Sequence, residues 1–292
     1  MVVRAGTRRR GSLVTVTNAR HARGRLADAY SAAGEAWHDG PTRIYDILAR
    51  EQLASAKVSL AGADVLDLGA GTGAASRAAA GSGARSVTAV DVAAGMLLVD
   101  RDRRPPSVIG DASDLPFADG AFDIVVAAFS VNHVDNPVAA LGEAARVTRG
   151  GGWVLSSSYA DDDSHPVRGI VDEVATRWGW GPGAWYERMR SHAAQLATAD
   201  RVRDAAIAAG LTEIVVESRS VAFGDLGPGQ MVSWRLGMAQ VAGFLAGLEP
   251  QARRALEDEA IAALGTDPPV LERSVLFLSA RVSTPAPVPS TP

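Results

Sequence analysis

Five short, mostly apolar runs separated by helical segments constrain the fold of this 292-residue chain more than any other feature. The runs cover residues 63–68, 86–90, 107–109, 122–128 and 153–157. They do not alternate apolar with polar positions, which indicates strands that are buried on both faces. Buried strands that alternate with helices form a parallel sheet covered by helices. The pattern therefore predicts an α/β fold with a Rossmann-like, mostly parallel sheet.

The segments on either side of this alternation have different patterns. Apolar residues recur at helical spacing in residues 22–57, so helices are expected before the sheet. Residues 214–223 and 275–282 read as two further strands, which brings the predicted sheet to seven. A helical lid inserted after the fifth strand is predicted over residues 160–200 and 226–265.

Charge and composition set the expected domain limits. Residues 1–25 hold seven arginines and no acid, whereas the whole chain has a net charge of −4, so its remainder is acidic. This acidic remainder does not favour binding to the phosphate backbone of a nucleic acid, so no nucleic-acid partner is expected. Residues 1–20 predict a disordered basic leader, and residues 283–292, rich in proline, serine and threonine, predict a disordered tail. One domain is expected over residues 21–282.

Several function classes are excluded by composition. The chain has no cysteine, so disulfides, thiolate metal sites and cysteine nucleophiles are excluded. Lys57 is the only lysine, which argues against a Schiff base or a Walker-type phosphate loop. No run approaches about 20 apolar residues, so no membrane partner is expected. A cytoplasmic protein that acts on small molecules, as a monomer or homodimer, is the expectation.

The first predicted strand ends in a glycine-rich loop with an acid before it. The sequence from Asp67 to Gly73 reads D-L-G-A-G-T-G, and it opens a predicted helix. Glycines let a ligand approach the backbone without meeting a β-carbon. A dinucleotide fingerprint reads G-x-G-x-x-G and holds pyrophosphate, which a carboxylate at Asp67 would repel. The pattern here favours a ligand with an ammonium group.

Two more acids follow neighbouring strands. Asp91 ends the second strand, where a carboxylate can accept hydrogen bonds from both hydroxyls of a ribose. Asp111 follows the third strand, where a side chain can meet the amino group of an adenine. The alternative is that the glycine loop is a plain strand-to-helix turn and that both acids are helix N-caps.

Taken in order, these segments resemble the class I S-adenosylmethionine-dependent methyltransferases. The resemblance is to the group that includes the ubiquinone and menaquinone methyltransferases (methyltransferase type 11-like), and it covers about residues 60–160. The segments that carry it are V-L-D-L-G-A-G-T-G (65–73), A-V-D-V with G-M-L (89–97), G-D-A (110–112), L-P-F (115–117), F-D-I-V (122–125), F-S-V-N-H-V (129–134), R-V (146–147) and G-G-G (150–152).

The resemblance implies S-adenosylmethionine as cofactor and ten residues that contact it: Asp67, Gly69, Ala70, Gly71, Asp91, Val92, Met96, Asp111, Ala112 and Phe129. Asp67 would order the amino group and the glycines would lie against the methionine part. Asp91 would hold the ribose, while Met96 would pack on the adenine unless it is simply a core residue. Asp111 and the Ala112 amide would read the adenine edge. The backbone near Phe129 would lie beside the sulfonium.

No catalytic residue is obvious, because methyl transfer from a sulfonium depends mainly on positioning. His133, after the fourth strand, is the best candidate for a proton acceptor, with a structural or cofactor contact as the alternative. His165, Tyr186 and His192 lie in the predicted lid and could be bases, although surface exposure or packing is the simpler interpretation.

Two clusters in the predicted lid leave alternatives open. The acids at 161–163 favour a solvated loop over a metal site, and no metal is expected. The aromatic residues Trp178, Trp180, Trp185 and Tyr186 could line an apolar pocket or attach the lid to the sheet.

The expected function is methyl transfer to O, N or C of a small apolar or aromatic metabolite. A secondary metabolite would fit the pocket interpretation. The Asn/Asp-Pro-Pro-aromatic tetrapeptide of base-amino methyltransferases is absent after the fourth strand, which argues against DNA as acceptor. Two alternatives remain: a cyclase-like enzyme that retains S-adenosylmethionine as a bound cofactor, and a non-catalytic binding module.

Overall fold

The computed structural model describes residues 13–15 and 25–284. Its strands are β1 (Leu13–Thr15), β2 (Asp64–Leu68), β3 (Ser86–Asp91), β4 (Ser107–Ile109), β5 (Phe122–Ala128), β6 (Thr148–Tyr159), β7 (Leu211–Phe223) and β8 (Leu271–Val282). Its helices are α1 (Arg25–Ala32), α2 (Gly34–Asp39), α3 (Thr42–Ser55), α4 (Ala74–Gly81), α5 (Ala94–Leu98), α6 (Pro137–Val147), α7 (Pro166–Arg177), α8 (Ala184–Ala193), α9 (Ala199–Ala208), α10 (Pro228–Leu236), α11 (Ala239–Ala246) and α12 (Pro250–Leu264).

The described strands form one sheet in the order β1-β4-β3-β2-β5-β6-β8-β7. Strands β1 to β6 pair in parallel, and β8 runs antiparallel between β6 and β7. Strand β2 is central, since Leu66 lies beside Thr88 of β3 and beside Val125 of β5. The chain builds outwards from β2 in one direction and then, from β5, in the other. Ligands of such sheets bind at the carboxyl ends of the strands where this direction switches.

The predicted α/β class and its mostly parallel sheet are confirmed, and all seven predicted strands are present. The additional strand β1 lies within the predicted disordered leader, so that prediction does not hold for residues 13–15. Backbone pairing with β4 orders them, with Leu13 beside Ser107, and apolar periodicity does not reveal such pairing. The rest of the leader and residues 285–292 lie outside the described residues.

Helices after the fifth predicted strand share a core with the N-terminal helices and the sheet. Its buried members come from α3, α7, α10, α12 and β8, and include Leu48, Val174, Trp234, Leu256 and Phe277. Burial of each such side chain contributes roughly 1.5–3 kcal/mol. Most of the predicted lid is therefore attached to the sheet through this shared core.

No helix in the described part of the chain is both long and apolar enough to span a membrane.

Candidate active site

A cavity of about 480 Å³ opens at the carboxyl ends of β2, β3, β4 and β5. All ten residues predicted to contact the cofactor lie on its wall, and so does His133. The segments that carry them are far apart in the sequence, and the parallel sheet brings their strand ends to one edge. The cavity is the place where the sequence-predicted site residues meet.

The glycine loop turns sharply between β2 and α4. Gly69 and Gly71 have φ values of +70° and +51°, a region that L side chains rarely adopt. A β-carbon on Gly69 would lie 2.2 Å from the β-carbon of Ser130. A β-carbon on Gly71, by contrast, would meet no protein atom within 4 Å. Gly69 is thus required by the packing of the protein, whereas Gly71 leaves open space.

A buried arginine that sequence analysis missed fixes this loop. Arg104 is 7% exposed and donates hydrogen bonds to the carbonyl oxygens of Gly71 (2.7 Å) and Met96 (3.0 Å). It therefore ties the glycine loop to α5. Arg104 lies in an arginine-rich segment that reads as solvated surface, so no sequence signal marked its burial.

Two buried carboxylates face the cavity. Asp67 accepts a hydrogen bond from Ser76 Oγ at 2.5 Å, and burial raises its pKa from 3.8 to about 6. Asp91 accepts hydrogen bonds from the N–H groups of Gly71 and Ala93, each at 2.7 Å. Burial raises the pKa of Asp91, although these backbone donors oppose the shift. The nearby Arg104 guanidinium lowers both pKa values and so offsets part of this effect, and a cationic ligand would favour the ionised carboxylates further.

The geometry does not support the N-cap alternative for the second and third acids. The N-cap of α5 is Ala93, which has no side-chain cap, and Asp91 lies two residues before it. Asp111 accepts from the N–H (2.9 Å) and hydroxyl (2.8 Å) of Ser113, which is a local turn without a helix. Both acids thus shape loops on the cavity wall.

Phe129 follows β5 with a φ of +51°, which is rare for a bulky residue. Such a conformation costs on the order of 1–3 kcal/mol and persists only where the surroundings impose it. Its N–H donates to Ser157 Oγ at 3.1 Å. Backbone strain of this kind is concentrated at functional sites, and here it lies on the cavity wall.

His133 ends the 3₁₀ turn Val131–His133 after β5. Its ring centroid lies 5.8 Å from that of Tyr30. Burial lowers the pKa of His133 to about 4, because the imidazolium would lose its hydration. At neutral pH the side chain is therefore a neutral imidazole.

An aromatic wall, here defined as Tyr30, Trp37, Tyr45 and Trp185, lines the cavity and packs against Ala93 and Met96. Ring centroids are 5.5 Å apart for Tyr30 and Trp37, and 4.9 Å apart for Trp37 and Tyr45. Tyr30 and Trp37 belong to the apolar residues that recur at helical spacing in residues 22–57. The spacing could not show that they line a cavity, because the contact is long-range.

Only α8 of the predicted lid lines the cavity. Its contributors recur at helical spacing and therefore share one face: Trp185, Arg188, Met189 and His192. His192 Nδ1 lies 3.3 Å from Asp135 Oδ1, and Tyr30 Oη donates to Met189 Sδ at 3.8 Å. These contacts hold α8 against α1 and against the turn after β5.

The four aromatic residues of the predicted lid were expected either to line a pocket or to attach the lid to the sheet, and they differ in which they do. Trp185 lines the cavity. Trp178 Nε1 donates to Glu259 (2.7 Å) and Trp180 Nε1 donates to the Gln240 carbonyl (2.9 Å), so both attach helices to each other. Tyr186 is buried and lies away from the cavity.

Two other candidates lie away from the cavity. His165 is the N-cap of α7, where it accepts from Val167 N–H. Asp163 forms a buried ion pair with Arg273, with Oδ2 and Nη2 2.6 Å apart, so the solvated-loop prediction is wrong for this acid. It holds for Asp161 and Asp162, which are exposed. Within residues 13–15 and 25–284 no group of three potential acidic or histidine ligands could hold a metal ion.

Comparison with protein families identifies the segment that contains the glycine loop. Residues 66–156 match a family model described as "Methyltransferase domain". This segment of the chain is thus similar to a methyltransferase domain. The matched segment runs from β2 to β6 and includes all ten predicted cofactor residues and His133. The aromatic wall comes from outside it, on α1, α2, α3 and α8.

Curated relatives match part of the chain. A demethylmenaquinone methyltransferase of Renibacterium salmoninarum is 35% identical over 154 residues, which are 52% of this chain and 63% of that protein. One of Mycolicibacterium vanbaalenii is 51% identical over 113 residues, or 39% of this chain and 49% of that protein. The chain thus matches less than two thirds of the length of either relative.

Solved structures share the fold. A chain from the complex between a Haloferax volcanii methyltransferase activator and a methyltransferase is 20% identical, with a TM-score of 0.51. The match covers 89% of this chain and 97% of that one. At this identity the similarity concerns the fold alone.

Proposed function

We propose that this protein is an S-adenosylmethionine-dependent methyltransferase that methylates O, N or C of a small apolar or aromatic molecule. One observation carries the proposal: the glycine loop, Asp67, Asp91 and Asp111 lie on the wall of a single cavity, at the ends of three neighbouring strands. The methyltransferase domain and the relatives named demethylmenaquinone methyltransferase support the same activity.

The residues present fit S-adenosylmethionine. Asp67 is buried and its pKa is raised despite the nearby Arg104, so a ligand ammonium would further stabilise its carboxylate. Open space beside Gly71 leaves room for ligand atoms against the backbone. Asp91 ends β3 on the cavity wall, where its carboxylate would accept hydrogen bonds from ribose hydroxyls. Asp111 and Ala112 lie at the end of β4, where an adenine would extend.

When bound, S-adenosylmethionine supplies a methyl group activated by a sulfonium. The protein contributes position and the exclusion of water. The strained Phe129 backbone and the turn that follows it form part of the cavity wall, and the Tyr45 ring of the aromatic wall meets the Phe129 ring edge-on. The rings of the aromatic wall exclude water from the same space.

His133 is better suited to orienting an acceptor than to deprotonating it. Its pKa of about 4 makes it a weak base, well below the value near operating pH that favours general-base catalysis. As a neutral imidazole it can still accept a hydrogen bond from an acceptor hydroxyl. An acceptor that needs no strong base, such as a quinol or an electron-rich ring, fits this arrangement.

The acceptor class follows from the aromatic wall. Rings such as Tyr30 and Trp185 favour a flat apolar partner through stacking and burial.

We also propose that the enzyme is cytoplasmic, that it is a monomer or homodimer, and that it has no nucleic-acid partner. Secondary metabolism is a fitting context for an acceptor of this class.

Incubation with methyl-labelled S-adenosylmethionine and a panel of phenols, quinols and amines tests the proposal. We expect label in at least one acceptor together with stoichiometric S-adenosylhomocysteine. The variant Asp91→Asn, measured in parallel, should lose the activity. Conversion of an acceptor without S-adenosylhomocysteine would favour the cyclase-like alternative. Cofactor binding without any conversion across the panel would favour a binding module.

A further inference from the structure

We infer that Gln52 of α3 is a positioning residue for the cofactor site, acting through Ser157 on the backbone of Phe129. The inference rests on the proposed function, since it concerns the same cavity. Gln52 lies outside the matched methyltransferase domain and does not line the cavity. Its influence would therefore be indirect.

A chain of two buried hydrogen bonds connects the three residues. Phe129 N–H donates to Ser157 Oγ at 3.1 Å, and Ser157 Oγ donates to Gln52 Oε1 at 3.1 Å. A hydroxyl has one proton, so Ser157 accepts from Phe129 and gives its own proton to Gln52. Gln52 and Ser157 are each 2% exposed, so water does not compete for these bonds.

These two hydrogen bonds lie at the end of β5, where the backbone pairing with β6 stops. Strand β5 ends at Ala128, which pairs with Ser157 of β6, and Phe129 then turns to positive φ. The Ser157 hydroxyl satisfies the Phe129 N–H in that strained conformation. The next residue, Ser130, donates to the Leu68 carbonyl at 2.6 Å and packs against Gly69. A shift at Phe129 would thus reach the glycine loop.

Helix α3 contacts the same two loops at other positions. The Tyr45 ring meets the Phe129 ring edge-on with centroids 5.6 Å apart. The Thr42 hydroxyl lies 2.9 Å from that of Thr72 in the glycine loop. Gln52 adds a third contact, and it does so although its buried Nε2 has no partner in the described part of the chain. A buried amide that is only half satisfied is costly, and holding the Phe129 turn is a reason to retain it.

Ser158 supplies a matched control for Ser157. It is the next residue of β6, is 3% exposed, and donates one hydrogen bond to the Leu196 carbonyl at 2.7 Å, away from Phe129. Ser157→Ala and Ser158→Ala each remove one buried hydroxyl and one donated bond, and Ser157→Ala also removes the bond that Ser157 accepts from Phe129 N–H. Both should lower the melting temperature, Ser157→Ala by more, and only Ser157→Ala touches the Phe129 turn.

The test measures S-adenosylhomocysteine affinity by calorimetry and folding by thermal denaturation in the full chain. Ser157→Ala and Gln52→Leu should each weaken binding about tenfold, and the double variant should be no weaker than either. Ser158→Ala should stay within twofold of the wild type, and Ser157→Thr, which keeps the hydroxyl, should recover most of the affinity.

Two results would overturn the inference while leaving the proposed function intact. One is equal loss of affinity in Ser157→Ala and Ser158→Ala. The other is unchanged affinity in a folded Gln52→Leu, which remains informative if Ser157→Ala does not fold. A folded wild-type protein that binds no S-adenosylhomocysteine would instead overturn the proposed function, and this inference with it.

Discussion

Ser130 packs against Gly69 so closely that only one of the two residues can have a β-carbon. A β-carbon built on Gly69 would lie 2.2 Å from Ser130 Cβ, and Ser130 Oγ donates to the Leu68 carbonyl at 2.6 Å. The turn after β5 is thereby fixed to the turn after β2. The turn that holds Gly69 and Gly71 and the turn that holds Phe129 therefore form one continuous part of the cavity wall.

Substitution of the two glycines separates folding from binding. Gly69→Ala must displace Ser130 and adopt positive φ, so we expect it to lower the free energy of unfolding by about 3 kcal/mol. Gly71→Ala meets no protein atom and should cost only about 1 kcal/mol. Its methyl group would occupy the open space left for a ligand, so it should abolish S-adenosylhomocysteine binding. Urea denaturation and calorimetry measure the two effects, and equal stability losses would contradict this account.

Asp67 should make stability and binding depend on pH in opposite directions. Its pKa in the folded protein is raised from 3.8 to about 6, so the unfolded chain ionises first as pH rises. Its contribution to the free energy of unfolding therefore falls between about pH 4 and pH 6 and stays low above pH 6. A ligand ammonium favours the ionised form, so S-adenosylhomocysteine should bind more tightly as pH rises through 6, with proton release.

The variant Asp67→Asn tests whether the ionised Asp67 carboxylate lowers the free energy of unfolding. In the ligand-free protein at pH 7 it should be more stable than the wild type by on the order of 2 kcal/mol, because it removes a buried charge. It should also bind S-adenosylhomocysteine weakly at every pH. Urea denaturation at pH 5, 6 and 7, with calorimetry, measures both properties. A variant that is destabilised equally at each pH would argue against an unpaired buried carboxylate.

His133 should titrate well below a free histidine. Burial lowers its pKa to about 4, which NMR of labelled histidine can measure directly. Because a pKa of about 4 makes the imidazole a weak base, His133→Phe should reduce kcat by less than about tenfold, whereas loss of a general base typically costs 10²–10⁴-fold. A pKa near 6.5, or a loss of a hundredfold or more, would assign His133 the role of base.

Trp185 should affect the acceptor and leave the cofactor unchanged. It lines the cavity from α8, whereas Trp178 donates to Glu259 and does not line the cavity. Trp185→Ala should raise the acceptor KM about tenfold through lost stacking, while S-adenosylhomocysteine affinity stays within twofold. Trp178→Ala is the control and should change stability alone. An effect of Trp185→Ala on cofactor affinity alone would relocate the acceptor site.

The cofactor side of the cavity was predictable because its signals are local in the sequence. Strand, glycine loop and helix follow one another from Asp64 to Gly81, and Asp91 ends the next strand. Parallel strands must bring their carboxyl ends to one edge, so the positions of these residues follow once the strands are identified.

The remaining features depend on contacts between distant segments. Arg104, in an arginine-rich segment, becomes a buried donor to the glycine loop only in the folded chain. Ser157 could be placed on a strand but not against Gln52, which lies 105 residues away. Asp163 looked solvated because its partner, Arg273, lies on β8. Periodicity shows which face of an element is apolar and does not show what covers that face.

Calorimetric titration of the full chain with S-adenosylhomocysteine, alongside Asp91→Asn, tests the central claim most directly. We predict one site per chain in the wild type. The substitution should weaken binding roughly tenfold to a hundredfold, because hydrogen bonds to a charged group contribute about 1.5–3 kcal/mol. NAD and ATP should not bind, since their phosphates would face Asp67. A folded wild-type protein that binds NAD or ATP in preference, or an Asp91→Asn variant with unchanged affinity, would contradict the assignment of this cavity.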